Sequence, residues 1–141
     1  MCIRDRLTIQ LQLLEQVYET YRLLQDAVCL KRQFEINCKL MDYQNDCFLK
    51  FQHDMVMLDV KKMFTATHLL ASTMKKSITK NSETKPSEYL IALQSINQMI
   101  RTTVDVMNSF NGMAQYRIRN MVALKQKQEQ TKALAVTINH R

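Results

Sequence analysis

Few of the side chains that most often carry chemistry are present in this chain, and they are spaced at helical intervals. Four cysteines occur, and Cys29, Cys38 and Cys47 follow one another nine residues apart. On a helix this spacing turns Cys38 to the side opposite the other two, so the three thiols do not converge on a metal ion. The spacing therefore predicts small packing residues, and unpaired cysteines favour a reducing compartment such as the cytoplasm.

Histidines and carboxylates show no catalytic or metal-binding pattern either. His53 and His68 lie outside any two-ligand motif such as His-Glu-x-x-His. Neighbours on a helix point about 100° apart, which argues against a dyad of His53 and Asp54. Asp42 and Asp46 would share one helix face, as in di-metal bundles, but the Glu-x-x-His motif of such bundles is absent. We expect a protein that is not an enzyme and has no catalytic residue, metal site, cofactor or small-molecule substrate.

The composition predicts that helices position these side chains. The 141 residues include one Gly and one Pro, too few for hairpin turns, phosphate loops or sandwich corners. Hydrophobic residues make up 46% of the chain, which is typical of a globular protein and too high for a disordered one. The longest uncharged stretches fall short of the roughly 18 residues that span a bilayer. The predicted fold class is all-α in a single domain without a transmembrane segment.

The first six residues, MCIRDR, stand outside the apolar period that begins at Leu7. They resemble a translated adapter sequence at the start of a reading frame assembled from metagenomic reads, and the alternative is a disordered start. We expect one helical domain over residues 7–141, in a chain that is a fragment of a longer protein beginning upstream.

Residues 7–78 contain neither Gly nor Pro and carry an apolar stripe at helical spacing. Four members of the stripe follow one another at the seven-residue period of coiled coils: Phe34, Met41, Phe48 and Met55. This constant phase favours one continuous helix. Its length of about 108 Å and the repulsion between Asp42 and Asp46 favour the alternative, a turn near residues 42–46 in a three-helix up-down-up bundle.

A second helix is predicted after a polar loop at residues 79–85. Pro86 suits the first position of this helix, which continues to about residue 138. Asn111 and Gly112 lie within its apolar stripe, which indicates a bend rather than an end. The main prediction is a long antiparallel helical hairpin with coiled-coil-like packing.

In such a hairpin the second helix covers the first only back to about Gln25. Residues 7–24 would then keep an apolar stripe without a partner in this chain. The candidate surface for self-association or for a protein partner consists of Leu7, Leu11, Leu14, Tyr18 and Tyr21. The main functional hypothesis is therefore a helical module for protein interaction or assembly, as a homo-oligomer or with another protein.

The charge is unevenly distributed along the chain. Residues 1–59 contain seven Lys or Arg against nine Asp or Glu, whereas residues 60–141 contain thirteen against four. The candidate anion-contacting residues are Lys75, Lys76, Lys80, Lys85, Arg117, Lys125, Lys127 and Lys132. Only Tyr116 supplies an aromatic ring nearby, so a base-stacking motif is absent. The second hypothesis is electrostatic binding of nucleic acid through this basic half.

A third hypothesis comes from a resemblance. The Gln-rich amphipathic stretch 7–28 and the tail 121–137 resemble parts of the long helical minor-pilus subunits of conjugative secretion systems. The resemblance covers these two short stretches without a diagnostic motif, and the three cysteines depart from that family's pattern. It implies a helical pilus component with a signal peptide upstream.

Overall fold

A computed structural model describes residues 3–79 and 86–139 and confirms the all-α fold class. The elements are α1 (Ile3–Leu40), a short 3-10 helix (Tyr43–Asn45), α2 (Cys47–Thr79) and α3 (Pro86–Asn139). No β-strand occurs within the described residues. Because α1 begins at Ile3, residues 3–6 continue this helix, with exposed side chains, instead of standing apart from it.

The prediction of one continuous helix over residues 7–78 is wrong, and the alternative turn is found between α1 and α2. Asp42 adopts the left-handed conformation with φ 53°, which Asp tolerates better than most residues. Asp46 caps α2, since its Oδ1 accepts hydrogen bonds from the backbone N–H groups of Phe48 at 3.0 Å and Leu49 at 3.1 Å. The two aspartates thus end one helix and begin the next, and this local chemistry outweighs the constant apolar phase.

The three helices follow the up-down-up order. Thr20 hydrogen-bonds Asn97, and Asn37 hydrogen-bonds Asn111, so α1 and α3 run parallel. The chain reverses at the turn, so α2 runs the other way, and both α1 and α2 pack mainly against α3. This helix is therefore the central element of the bundle.

The core follows a heptad seam on α3. Seven successive a and d positions of this seam are buried: Leu93, Ile96, Ile100, Thr103, Met107, Phe110 and Ala114. The buried apolar residues that α1 and α2 contribute are Leu23, Ala27, Phe34, Cys38, Leu49, Val56, Val60 and Met63. The predicted stripe does not stay buried across the turn, since Phe48 and Met55 are 68% and 45% exposed. Because the chain turns, α2 buries Leu49 and Val56 instead, one residue further on.

At 54 residues, about 81 Å, α3 is longer than the bundle around it. Since Asn37 lies opposite Asn111, the end of α1 at Leu40 lies level with about Ala114. Ile118 is half-buried, and every residue from 119 to 139 is exposed. We call residues 118–139 the α3 extension. The prediction that residues 7–24 extend beyond the second helix is therefore wrong. Because of the turn, α3 runs along α1, and it is the end of α3 that extends beyond the other helices.

Candidate functional site

Two layers of buried polar side chains hold α1 against α3. In the first layer, Asn97 Nδ2 donates to Gln16 Oε1 at 2.8 Å and to the Gln16 carbonyl at 3.1 Å. The hydroxyl of Thr20 donates to Asn97 Oδ1. All the polar atoms of the buried Asn97 amide are thereby paired, which favours one register of the two helices.

The second layer lies nearer the turn. Asn37 Nδ2 donates to Asn111 Oδ1 at 3.0 Å, and Gln33 Nε2 donates to Asn37 Oδ1 at 3.1 Å. Asn111 Nδ2 donates to the Leu30 carbonyl at 3.3 Å. A shift of one helical turn would leave these amides buried without partners, so the layer fixes the position of α1 along α3.

An ion-pair cluster borders the first layer. Glu19 lies 2.7 Å from Arg22 and 3.1 Å from Arg101 of α3. Hydrogen bonds from Arg22 and then Arg101 lower the pKa of the Glu19 carboxyl below its ordinary value. The cluster adds an electrostatic contact to the same α1–α3 register.

The five candidate association residues lie on one exposed face of α1. Their side chains are between 53% and 69% exposed, and we call Leu7, Leu11, Leu14, Tyr18 and Tyr21 the α1 outer face. By helical periodicity this face lies about 160° around α1 from the residues that contact α3. The role of this face in association stays a prediction.

The candidate anion-contacting residues separate into two groups. Lys75 and Lys76 lie near the end of α2, while Arg117, Lys125, Lys127 and Lys132 are exposed on the far part of α3. Lys80 and Lys85 lie outside the described residues. Lys125 lies about 58 Å along α3 from Pro86, which opens the helix. The structure therefore does not bring these cations together into one anion-binding surface.

A groove that the sequence analysis missed lies between α2 and α3. Its volume is about 530 Å³, and we call it the α2–α3 groove. Its apolar lining comes from Phe51, Met55 and Val56 of α2 and from Val106, Phe110 and Met113 of α3. Two carboxylates, Asp59 and Asp105, also line it, and neither forms a hydrogen bond or an ion pair with any other described residue. One sequence signal was available, since Phe51 and Met55 of the groove lie on an apolar stripe of α2 that also includes Phe48 and Leu58.

The other feature missed is the apolar character of the α3 extension. The heptad seam of α3 continues past the bundle at the same a and d positions: Arg117, Met121, Leu124, Gln128, Thr131, Ala135 and Ile138. The side chains of Met121, Leu124 and Ile138 are more than half exposed. The seam that forms the core of the bundle thus continues for three heptads with no partner among the described residues.

The thiols lie apart from one another. Burial, together with a smaller effect of the Glu35 carboxylate, raises the pKa of the Cys38 thiol to about 11. Cys29 and Cys47 are exposed, and the three residues are free thiols. A buried thiol with a raised pKa is a poor nucleophile, so Cys38 acts as a small core residue.

The expectation that His53 and Asp54 point apart is wrong. His53 Nδ1 lies 3.0 Å from Asp54 Oδ1. The ring of His53 packs on Phe34 and Tyr43, with centroid distances of 5.9 and 4.4 Å, and this packing holds its Nδ1 edge near the short Asp54 side chain. The contact belongs to the packing around the turn.

Within residues 3–79 and 86–139, no three His, Cys, Asp or Glu side chains are grouped closely enough to hold a metal ion. None of the described helices combines the length and apolar character that crossing a membrane requires. Comparisons of the chain with protein-family models, curated proteins and solved structures find no match. The exposed apolar surfaces are therefore the features on which a functional proposal rests.

Proposed function

We propose that this protein is a non-enzymatic helical assembly module that associates with further copies of the same chain. The observation that carries the proposal is the amount of surface left exposed. The accessible area is 10854 Å², whereas a compact monomer of 16.6 kDa exposes about 7,600 Å². The excess is several times the roughly 800 Å² that each partner buries in a stable interface.

The exposed apolar residues are also grouped along particular helix faces. Single exposed hydrophobic residues are ordinary in any protein, but contiguous apolar patches mark interaction sites. Here such residues are grouped in the α1 outer face, the α2–α3 groove and the α3 extension. Helices with apolar faces of this kind are stabilised by packing against other helices, which supports assembly as the function.

Light scattering coupled to size exclusion tests this proposal on the full chain. We expect at least twice the chain mass of 16.6 kDa at micromolar concentration. The mass should persist at 1 M NaCl, because burial of apolar surface does not weaken in salt as exposed charge pairs do. A monomer at every concentration and salt would contradict the proposal.

A second candidate function is electrostatic binding of nucleic acid by the α3 extension. The observation that favours it is a group of exposed cations, Arg117, Lys125, Lys127 and Lys132, which are spread over about 160° of the helix surface. None of them is paired with another described residue. Fluorescence anisotropy with a labelled DNA duplex tests it. The affinity should fall by about 0.9 log unit per log unit of salt for each phosphate contacted. Absence of binding at about 50 mM salt, where phosphate contacts are much stronger than at physiological salt, would remove this candidate.

A further inference from the structure

We propose that the α3 extension of one copy lies in the α2–α3 groove of a second copy, and that the exchange is reciprocal. This inference rests on the proposed assembly function and names the surfaces that carry it. Four observations support it: the continued seam, the shape of the groove, the charges of both surfaces and the area available.

The heptad seam of α3 continues into the extension. Positions a and d of α3 are buried from Leu93 to Ala114. In the extension the same positions are Met121, Leu124, Ala135 and Ile138, with Gln128 and Thr131 between the two apolar pairs. Within the bundle this seam packs against α1 and α2. Beyond the bundle neither α1 nor α2 accompanies the seam, so its side chains are free to pack against a second copy.

The α2–α3 groove offers such a surface. Buried Val56 and Phe110 form its floor, and the exposed side chains of Phe51, Met55 and Met113 stand at its sides. The extension of the same copy does not reach this groove, because α3 is one uninterrupted helix that leads away from the bundle. A second copy can supply its extension to the groove.

The charges of the two surfaces are opposite. The α3 extension, residues 118–139, contains four Lys or Arg and one Glu. Residues 51–59, which form the α2 side of the groove, contain two Asp and no Lys or Arg, and Asp105 adds a carboxylate from α3. Placing the extension along the groove brings cations to Asp59 and Asp105, whereas pairing two extensions with each other would bring like charges together.

A two-fold axis near Arg117 places each extension in the groove of the other copy. The two α3 helices then run antiparallel, and by residue count Lys127 and Lys132 of one copy lie on either side of Asp105 of the other. Each extension is about 33 Å long and about 10 Å wide. If each extension packs along its full length, on the groove and on the helix surface beyond it, two reciprocal contacts counted on both surfaces bury about 1,300 Å², within the range of stable interfaces.

A matched pair of leucine substitutions in the full chain tests the proposal. Leu124 of the extension and Leu11 of the α1 outer face are 58% and 62% exposed, so neither substitution should unfold the bundle. We expect Leu124→Glu to raise the dimer dissociation constant about tenfold or more by sedimentation velocity, because it puts a carboxylate on the apolar seam. Leu11→Glu should leave it unchanged, and circular dichroism should show equal helicity for both variants.

A charge exchange tests which surface the extension meets. Lys127→Glu combined with Lys132→Glu should weaken the dimer, and adding Asp59→Lys with Asp105→Lys should restore it. The weakened state should be most evident at low salt, where charge pairs are least screened. Restoration requires that the two surfaces contact each other.

The outcomes separate this inference from the proposed function. A wild-type dimer that Leu124→Glu leaves intact, or that the Asp-to-Lys pair fails to restore, would overturn the inference while assembly stands. If Leu11→Glu dissociates the dimer instead, the α1 outer face is the interface. A wild-type monomer under all conditions would overturn both.

Discussion

Asn37 and Asn111 form a hydrogen bond in the interior of the bundle, with Nδ2 of Asn37 donating to Oδ1 of Asn111 across 3.0 Å. The two residues are only 1% and 6% exposed. Their contact joins parallel helices that are distant in sequence, and it sets how far α3 continues beyond α1. The length of the α3 extension is thus a consequence of this register.

Loss of one partner from this pair should destabilise the fold. We expect Asn111→Ala to lower the free energy of unfolding by about 1–3 kcal/mol, because the Asn37 amide is left buried without its acceptor. Urea unfolding at a fixed protein concentration measures the change. The exposed neighbour Asn108 provides a control, since Asn108→Ala should change stability by less than about 0.5 kcal/mol. Equal effects of the two substitutions would contradict the assigned role.

The cap at the start of α2 makes a separate contribution. Asp46→Ala removes the acceptor of the Phe48 and Leu49 N–H groups and should cost about 0.5–2 kcal/mol in thermal or urea unfolding. Asp46→Asn should retain most of the stability, because its amide oxygen can accept the same bonds. A loss as large for Asn as for Ala would show that charge, and not capping, is the main contribution.

Gly112 offers a stabilising substitution. It lies exposed inside α3 without a positive φ, and a Cβ added there would meet no atom within 4 Å. Gly112→Ala should therefore raise the free energy of unfolding by about 0.5–1 kcal/mol, because Ala loses less backbone entropy on entering a helix. A decrease in the unfolding midpoint would mean that the helix needs the glycine at this point.

Stability should depend on pH through Glu19. Because Arg22 and Arg101 lower its pKa in the folded state, its contribution is present above the ordinary value of 4.5 and is lost as pH falls through the folded pKa. Glu19→Gln should flatten the decline in unfolding free energy below pH 4.5, by at most about 1 kcal/mol since the cluster is partly exposed. Parallel pH curves for wild type and variant would refute this contribution.

Alkylation should distinguish the cysteines. With a pKa of about 11, Cys38 is almost wholly protonated at pH 8, and its side chain is fully buried. Iodoacetamide should therefore modify the exposed Cys29 in the native protein and reach Cys38 only in urea, as peptide mass spectrometry would show. Modification of both at similar rates in the native state would contradict the burial of Cys38.

Much of the helical architecture could be predicted from the sequence pattern, including the start of α3 at Pro86. The α1 outer face is exposed, but its exposure was predicted from a two-helix hairpin that the turn replaces. The apolar pattern predicted a continuous helix where the structure has the turn between α1 and α2. The left-handed Asp42 and the capping Asp46 end and restart the helix without disturbing the seven-residue spacing of apolar residues. The apolar spacing therefore favoured one continuous helix, whereas the short-range polar contacts of the two aspartates end the first helix and start the next.

The α2–α3 groove could not be predicted because it depends on two helices at once. The stripe of Phe48, Phe51, Met55 and Leu58 is visible in the sequence, but its exposure follows from α2 burying Leu49 and Val56 instead. Asp59 and Asp105 lie far apart in the chain and line one groove only because α2 and α3 pack side by side.

The sequence by itself determined that this protein is helical, because one Gly, one Pro and long apolar periodicities leave few alternatives. It also determined which end of the chain is basic. The tertiary structure decided where the chain turns, which of two apolar stripes on each helix is buried and which part of α3 is left uncovered. These outcomes depend on register between distant helices, and buried amides such as Asn37 and Asn111 set that register only when the helices meet.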